Sequence, residues 1–259
     1  MIYNEDCKIT MTRMEPKSVN VILTSPFYNT NKKAGSKSTL KNTSTKSGDY
    51  PWTRYDCHID NMTNEQYDDY TVDLFCLFDR ILKPNGVVLY NMSYGNDNTG
   101  NMISAVNNVL RKTPFMLADI IVWKKKNALP NNCSSNRLTR IVEFIYVFCR
   151  ATEGGTFYTN KKVISTRANG QKMYENIFNF VEAANNDGSC PLNKATYSSE
   201  LCKKLLNVYC PPNGIVYDPF MGTGTTAVAC EEMELQWIGS EISANQVEYA
   251  NNRINKKKG

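Results

Sequence analysis

Histidine is almost missing from this chain of 259 residues, His58 being the single one. One imidazole excludes a His-based metal centre and leaves a Ser-His-Asp triad without support. Cysteine occurs nine times, at positions 7, 57, 76, 133, 149, 190, 202, 210 and 230, yet never as a Cys-x-x-Cys pair. An odd and scattered set speaks against both a disulfide framework and a structural zinc site, so the thiols read as reduced and no metal is expected. Also lacking is any run of about 18 apolar residues, and positions 1–17 hold no apolar block of the secretory-leader kind. The expectation is an intracellular protein, cytoplasmic or nuclear, without a membrane partner.

Acid is missing from a Lys-rich stretch early in the chain. Positions 29–48 carry Lys32, Lys33, Lys37, Lys41 and Lys46 and no Asp or Glu, which accounts for the whole net charge of +5. A flexible, Lys/Ser/Thr/Asn-rich loop is expected over 29–56. It reads either as a solvated insertion or as a mobile basic segment that closes over a polyanion.

What is present is an alternation of buried strands and amphipathic helices without an internal repeat. Val19-Asn20-Val21-Ile22-Leu23 is a β-branched run that ends at Thr24-Ser25-Pro26-Phe27-Tyr28, because proline does not continue a central strand. Thr63 to Leu82 is predicted as a helix, with Thr63 capping and Gln66 three residues on. Pro84-Asn85-Gly86 is expected as a turn before the strand Val87 to Tyr90. A helix over Met102 to Arg111 and strands over Met116 to Trp123 and Ile141 to Phe148 follow. Positions 150–188 show no clear period, and a helix is predicted over Ser198 to Tyr209. The pattern implies an α/β fold with a mainly parallel sheet flanked by helices, in a single domain, with a recognition insert within about 124–188.

The second punctuated strand end is Asp218-Pro219-Phe220-Met221-Gly222-Thr223-Gly224-Thr225-Thr226. It follows Ile215-Val216-Tyr217 and precedes Ala227-Val228-Ala229-Cys230, as a turn between a buried strand and a helix does. Two glycines one residue apart leave no Cβ where a ligand approaches the backbone, and the helix start directs free N–H groups there. Glu241 ends the next strand about 20 positions on, where a cofactor ribose is hydrogen-bonded in such folds. These residues alone allow a dinucleotide or S-adenosylmethionine.

Taken together and in this order, the two strand ends resemble those of the S-adenosylmethionine-dependent DNA amino-methyltransferases. Thr24 to Tyr28 looks like their Asp/Asn/Ser-Pro-Pro-Tyr catalytic motif, and Asp218 to Gly224 looks like their cofactor motif. With the catalytic motif first, the chain resembles the circularly permuted beta arrangement of a Rossmann-like methyltransferase. The resemblance implies S-adenosylmethionine as cofactor, with Asp6 near the adenine, Thr196 and Ser198 at the methionine end, and Thr24, Asp218, Pro219, Phe220, Gly222, Gly224, Thr225, Thr226 and Glu241 around it. Phe27 stands where the family has its second proline, and Asn193-Lys194 where it usually has His-Pro.

The chemistry agrees with the resemblance. A sulfonium methyl donor is already activated, so the enzyme must mainly aim an amine lone pair at the methyl carbon. The Ser25 hydroxyl and Pro26 carbonyl are expected to accept the two N–H groups of an exocyclic amine, and Tyr28 to stack on a base flipped from the duplex, with Phe27 completing the catalytic motif. DNA is the implied partner, contacted by Lys32, Lys33, Lys37, Arg137 and Arg140, and a homodimer is suggested by beta-arrangement relatives. The target is expected to be adenine N6, slightly preferred, or cytosine N4, although serine at the first motif position is commoner among cytosine-N4 members. The competing readings are a methyltransferase acting on RNA or protein glutamine, and a catalytically inactive methyltransferase-like protein that binds nucleic acid.

Overall fold

The computed structural model describes residues 1–29, 62–93, 99–128, 135–136, 138–188, 190, 192–193 and 196–258. The expected basic loop, apart from Asn29, and the predicted DNA contacts Lys32, Lys33, Lys37 and Arg137 lie outside the described residues.

The chain opens with β1 (Ile2–Tyr3) and α1 (Cys7–Arg13), whose first turn is capped by the Asp6 carboxylate, accepting from the Lys8 N–H at 2.7 Å. β2 (Val19–Thr24) is the predicted β-branched strand. α2 (Asn64–Ile81) starts where the sequence places it. The Gln66 N–H donates to Thr63 Oγ1 at 3.2 Å, and Thr63 N–H donates back to Gln66 Oε1 at 2.9 Å, a capping box that satisfies two orphan donors. β3 (Leu82–Met92) follows directly. The turn expected at Pro84-Asn85-Gly86 falls inside this one strand, as an irregularity in its pairing with β2. Val19 pairs with Leu82 but Val21 with Val87, and Asn85 absorbs the extra length at φ 61°.

α3 (Thr99–Lys112), β4 (Phe115–Lys125) and β5 (Val142–Arg150) come next. The stretch after Arg150 is more ordered than its sequence suggests. It holds a hairpin, β6 (Val163–Thr166) with β7 (Lys172–Tyr174), and then β8 (Phe180–Ala183), which joins the main sheet beside β4. α4 (Ser199–Tyr209), β9 (Ile215–Asp218), α5 (Thr225–Glu232), β10 (Gln236–Ser240) and α6 (Ala244–Lys258) complete the chain.

The eight-stranded sheet has the order β1-β10-β9-β2-β3-β5-β4-β8, and β5 runs against its neighbours while the remaining pairs are parallel. Alternate residues feed opposite faces. Ile22, Val88 and Tyr90 pack under Met11 of α1, Leu74 and Phe75 of α2 and Val109 of α3. Val21, Leu23 and Leu89 pack under Leu201 and Leu205 of α4 and Ala229 of α5. Each such fully buried side chain contributes about 1.5–3 kcal/mol by leaving water.

The pairing of β2 with β9, Val21 beside Val216 and Ile22 beside Tyr217, positions the site. From β2 the chain moves to β3 on one side, and from β9 it moves to β10 on the other. That divergence opens a crevice beyond the carboxyl ends of both strands, at a topological switch point. Among the described residues, no helix is long and apolar enough to cross a membrane.

Candidate active site

A cavity of about 210 Å³ lies in this crevice. Asp6, Ser25, Phe27, Thr196, Pro219, Phe220, Gly222, Thr225 and Glu241 of the sequence-predicted set line it. Residues nearly 200 positions apart thus share one wall.

Glu241 holds the glycine turn in place. Its carboxylate accepts the Gly222 N–H at 2.8 Å and the Ser243 N–H at 2.9 Å, one on each oxygen. A carboxylate offers about four acceptor positions, so lone pairs remain for ligand hydroxyls. Gly222 itself has φ 52°, and a Cβ built there would point at Asn193 Nδ2 and Gln246 Oε1, both 3.5 Å away. Those two amides also line the cavity, and Asn193 Nδ2 donates to Gln246 Oε1 at 3.0 Å. Carboxylates at Glu5, Asp6 and Glu241 together with the apolar Phe27, Tyr70, Phe220 and Ile242 suit a ligand that is cationic in part and aromatic in part. S-adenosylmethionine has that character, so the residues present fit the implied cofactor. Cys7, also in the wall, has its thiol pushed up to about 12 by burial and is an inert surface there.

Several predicted cofactor residues do not reach the cavity but build the floor beneath it. Asp218 is buried, and its carboxylate accepts from Thr24 Oγ1 at 2.8 Å, Thr226 Oγ1 at 2.5 Å, Tyr197 OH at 3.0 Å and the Phe220 N–H at 3.0 Å. Burial raises its pKa in spite of these donors. Gly224 is in the left-handed region at φ 82°, caps α5, and brings α5 against α6, where its Cβ would lie 2.8 Å from Ala250 Cβ. Ser198 caps α4, accepting the Leu201 N–H at 3.3 Å and donating to the Ala184 carbonyl at 2.8 Å. Thr24, Asp218, Gly224, Thr226 and Ser198 are therefore placed as supports.

Pro26 and Tyr28 lie beside the cavity, outside its lining. Phe27, in the family's proline position, is buried against Tyr67, Tyr70 and Phe220 at ring-centroid distances of 5.5, 5.4 and 6.1 Å. The Tyr67 hydroxyl donates to the Phe27 carbonyl at 2.8 Å, so aromatic packing fixes this turn where a second proline ring would have stiffened it. Arg140 is half-buried and does not line the cavity.

Sequence reasoning missed Glu5, Tyr70, Asn193 and Gln246 in the wall, and Asn91 and Glu143 beside Ser25. Asn91 was recoverable, since it lies near the end of the strand next to the catalytic turn. Glu143 was not, because it lies near the start of an antiparallel strand that only tertiary pairing brings to this edge.

Glu200 clamps the segments that leave the same edge. Its carboxyl is lowered to about 2, chiefly by the Lys126 ammonium 2.5 Å away, then by the Ala184 N–H and Lys204. A depressed pKa means stability present above the ordinary 4.5 and lost as the pH falls towards about 2. Solvent screens this half-exposed group, so Glu200→Gln is expected to cost about 0.5–1 kcal/mol at pH 7. Urea unfolding should show that gap closing between pH 4.5 and 2, and a gap constant with pH would rule out the charge as its cause.

Fold and site together define a class-I methyltransferase architecture. The family model described as DNA methylase, that of the N6/N4 methyltransferases, matches residues 19–252, and the chain belongs to that family. It is 27% identical over 147 residues to the type II methyltransferase M.Cfr9I of Citrobacter freundii, covering 56% of this chain and 46% of that protein. It is likewise 27% identical over 145 residues to M.SmaI of Serratia marcescens, covering 56% and 48%. The chain thus matches just under half the length of these curated relatives. Among solved structures, the PvuII DNA methyltransferase, described as cytosine-N4-specific, superposes with a TM-score of 0.69 at 15% identity, over 99% of this chain and 90% of that one. A putative DNA modification methylase from Thermus thermophilus, complexed with S-adenosyl-L-methionine, gives 0.63 at 17% identity over 99% and 93%. M1.HpyAVI gives 0.60 at 22% identity over 98% of both chains.

Proposed function

We propose that the protein transfers a methyl group from S-adenosylmethionine to the exocyclic amine of a base in DNA. The observation that carries this reading is the sharing of one cavity by Ser25 and Phe27 of the first motif and Gly222 and Glu241 of the second. The cofactor, when bound, supplies an electrophilic methyl group. The chain supplies the rest. Glu241 and the glycine turn would hold the cofactor, and Ser25 Oγ and the Pro26 carbonyl would accept the amine's two N–H groups. Those bonds draw the nitrogen from planarity and aim its lone pair. Ser25 is half-buried and Phe27 and Tyr28 are buried, so a base stacked in a duplex does not reach them, which supports base flipping.

Cytosine N4 is favoured over adenine N6. Ser25 leads the motif, as is commoner among cytosine-N4 members, and the PvuII enzyme described as cytosine-N4-specific supports the same choice. The adenine preference taken from the sequence rests on the size of the adenine group, which carries no chemistry of this site. For DNA contact we assign the main part to the connection between β4 and β5, which includes Arg140 and leaves the sheet at the catalytic edge. The base of the β6–β7 hairpin is tied to the opposite edge, where Asn160 donates to the Asn207 and Cys210 carbonyls at the end of α4.

Incubation with unmethylated plasmid DNA and methyl-labelled S-adenosylmethionine, followed by digestion to nucleosides, tests the reading. Label is expected in N4-methylcytosine; label in N6-methyladenine reverses the base choice, and label in neither overturns the function. Ser25→Ala should slow transfer about 100-fold, the size of losing one oriented transition-state hydrogen bond. Its cofactor affinity by calorimetry should stay within about threefold, or about 0.7 kcal/mol.

A further inference from the structure

Five polar side chains from four neighbouring strand ends meet beside the catalytic turn. Ser25 and Tyr28 follow β2, Asn91 lies near the end of β3, Lys125 ends β4, and Glu143 is the second residue of β5. They meet because β5 is antiparallel, which sets its first residues beside the last residues of β3 and β4, Phe144 against Met92 and Glu143 against Trp123. Ser25 Oγ and Tyr28 OH are 2.8 Å apart. Tyr28 OH is 3.3 Å from Glu143 Oε2. Asn91 Nδ2 lies 2.8 Å from Tyr28 OH, 3.0 Å from Glu143 Oε2 and 3.2 Å from Ser25 Oγ. Lys125 Nζ stands 2.6 Å from the other carboxylate oxygen, in a pair whose side chains are only 20% and 12% exposed.

From this geometry we infer that Glu143 is a positioning residue which, through Tyr28, sets the direction of the hydroxyl proton on Ser25. The inference rests on the function proposed above. A carboxylate only accepts, and an amide nitrogen only donates. Tyr28, receiving a donor from Asn91, sends its own proton to Glu143 Oε2. Ser25 then sends its proton to Tyr28, and with Asn91 Nδ2 on one Ser25 lone pair the other is left for the N–H of the target amine. The reverse order would point the Ser25 proton at that amine and remove the acceptor the reaction needs. The orientation of the Asn91 amide follows from the same chain, since its oxygen would otherwise face the carboxylate. As placed, Asn91 Oδ1 is buried and finds no donor among the described residues, an unsatisfied group that calls for a functional explanation. Lys125 balances the Glu143 charge from the far side and lies 4.9 Å from the Trp123 ring centroid, which holds the ammonium in place.

Glu143→Gln keeps the shape but adds a donor, so the chain can run in either direction. Single-turnover transfer of labelled methyl groups to unmethylated plasmid DNA should fall about 10- to 30-fold, as for a lost oriented hydrogen bond in a coupled network. S-adenosylmethionine affinity by calorimetry should stay within about twofold, because the residue does not line the cofactor cavity. The double variant with Ser25→Ala should be no slower than Ser25→Ala alone, as required of a residue that acts through Ser25. Multiplying effects, or a parallel loss of cofactor affinity, would reduce Glu143 to a structural ion pair and overturn the inference. Tyr28→Phe, which deletes the middle hydroxyl and spares the Glu143–Lys125 pair, keeps the test open should Glu143→Gln fail to fold. It should slow transfer at least as much, and wild-type speed would equally overturn the inference. If the unaltered protein transfers no label to DNA, the proposed function falls first and this inference with it. If it does transfer and Ser25→Ala alone is slow, wild-type speed in Glu143→Gln and Tyr28→Phe overturns the inference and leaves the proposed function standing.

Discussion

A Gly222→Val variant is expected to lose S-adenosylmethionine affinity by about a thousandfold, or about 4 kcal/mol, while remaining folded. Gly222 is held at φ 52°, where a β-branched residue costs about 1–3 kcal/mol of backbone strain. Its Cβ would itself find ordinary contact distances, 3.5 Å to the Asn193 and Gln246 amides, so the strain alone is not the whole effect. The two further methyl groups must displace that amide pair or enter the cavity, and either removes cofactor space. Gly224→Val sets the contrast. There the first added carbon already lies 2.8 Å from Ala250 Cβ and 3.3 Å from Ala250 Cα, in a helix that must shift bodily. Overpacking with left-handed strain should cost about 3–5 kcal/mol of stability. Calorimetry and thermal unfolding on both variants separate the two roles. Equal losses of affinity and of melting temperature in both would mean that the glycines share one structural task.

How far this was legible in advance depended on whether the determinant was local. The capping box of α2 is written within four residues, Thr63 to Gln66, and both of its hydrogen bonds form. The glycine turn, the strand end at Ser25 and the strand-end acid Glu241 are likewise local signals, and they converge on one cavity. What escaped was set by pairing across the chain. β8 consists of four residues with no period of their own, and it is a strand because β4 offers it an edge. Ser198 and Thr226 read as cofactor contacts from their place in a motif, but their hydroxyls turn to a helix end and to Asp218 instead. Asn193 and Gln246 lie 53 positions apart, and nothing in either neighbourhood announces their contact. At Asn85 the local signal and the pairing coexist, since the chain leaves the ladder at the turn residues and both flanks return to the same partner strand.

The most damaging single truncation should be Asp218→Ala, because this carboxylate joins the two strand ends that make the site. Thr24, the residue before Ser25, donates to it from β2, and the Phe220 N–H donates from the cavity wall. Removing the acceptor orphans those donors and leaves the Tyr197 and Thr226 hydroxyls, 2.5 Å apart, only each other, in a buried place. The expected loss is about 3–5 kcal/mol, and cofactor affinity and transfer should fall together. Asp218→Asn keeps one acceptor oxygen, and hydroxyls can turn to receive its NH₂ group, so it should cost about 1–2 kcal/mol. The two forms also differ in their response to pH. Burial raises the Asp218 pKa above the ordinary 3.8, so its protonated form is favoured by folding. Such a group contributes stability that is fully present below 3.8 and is lost as the pH rises through the folded value. Asparagine does not titrate, and the stability gap between wild type and Asp218→Asn should therefore shrink as the pH is raised from 4 to 8. Urea unfolding across that range measures it directly. A gap that widened with pH would mean that the four donors overcome desolvation and hold Asp218 as an anion stabilised by the fold.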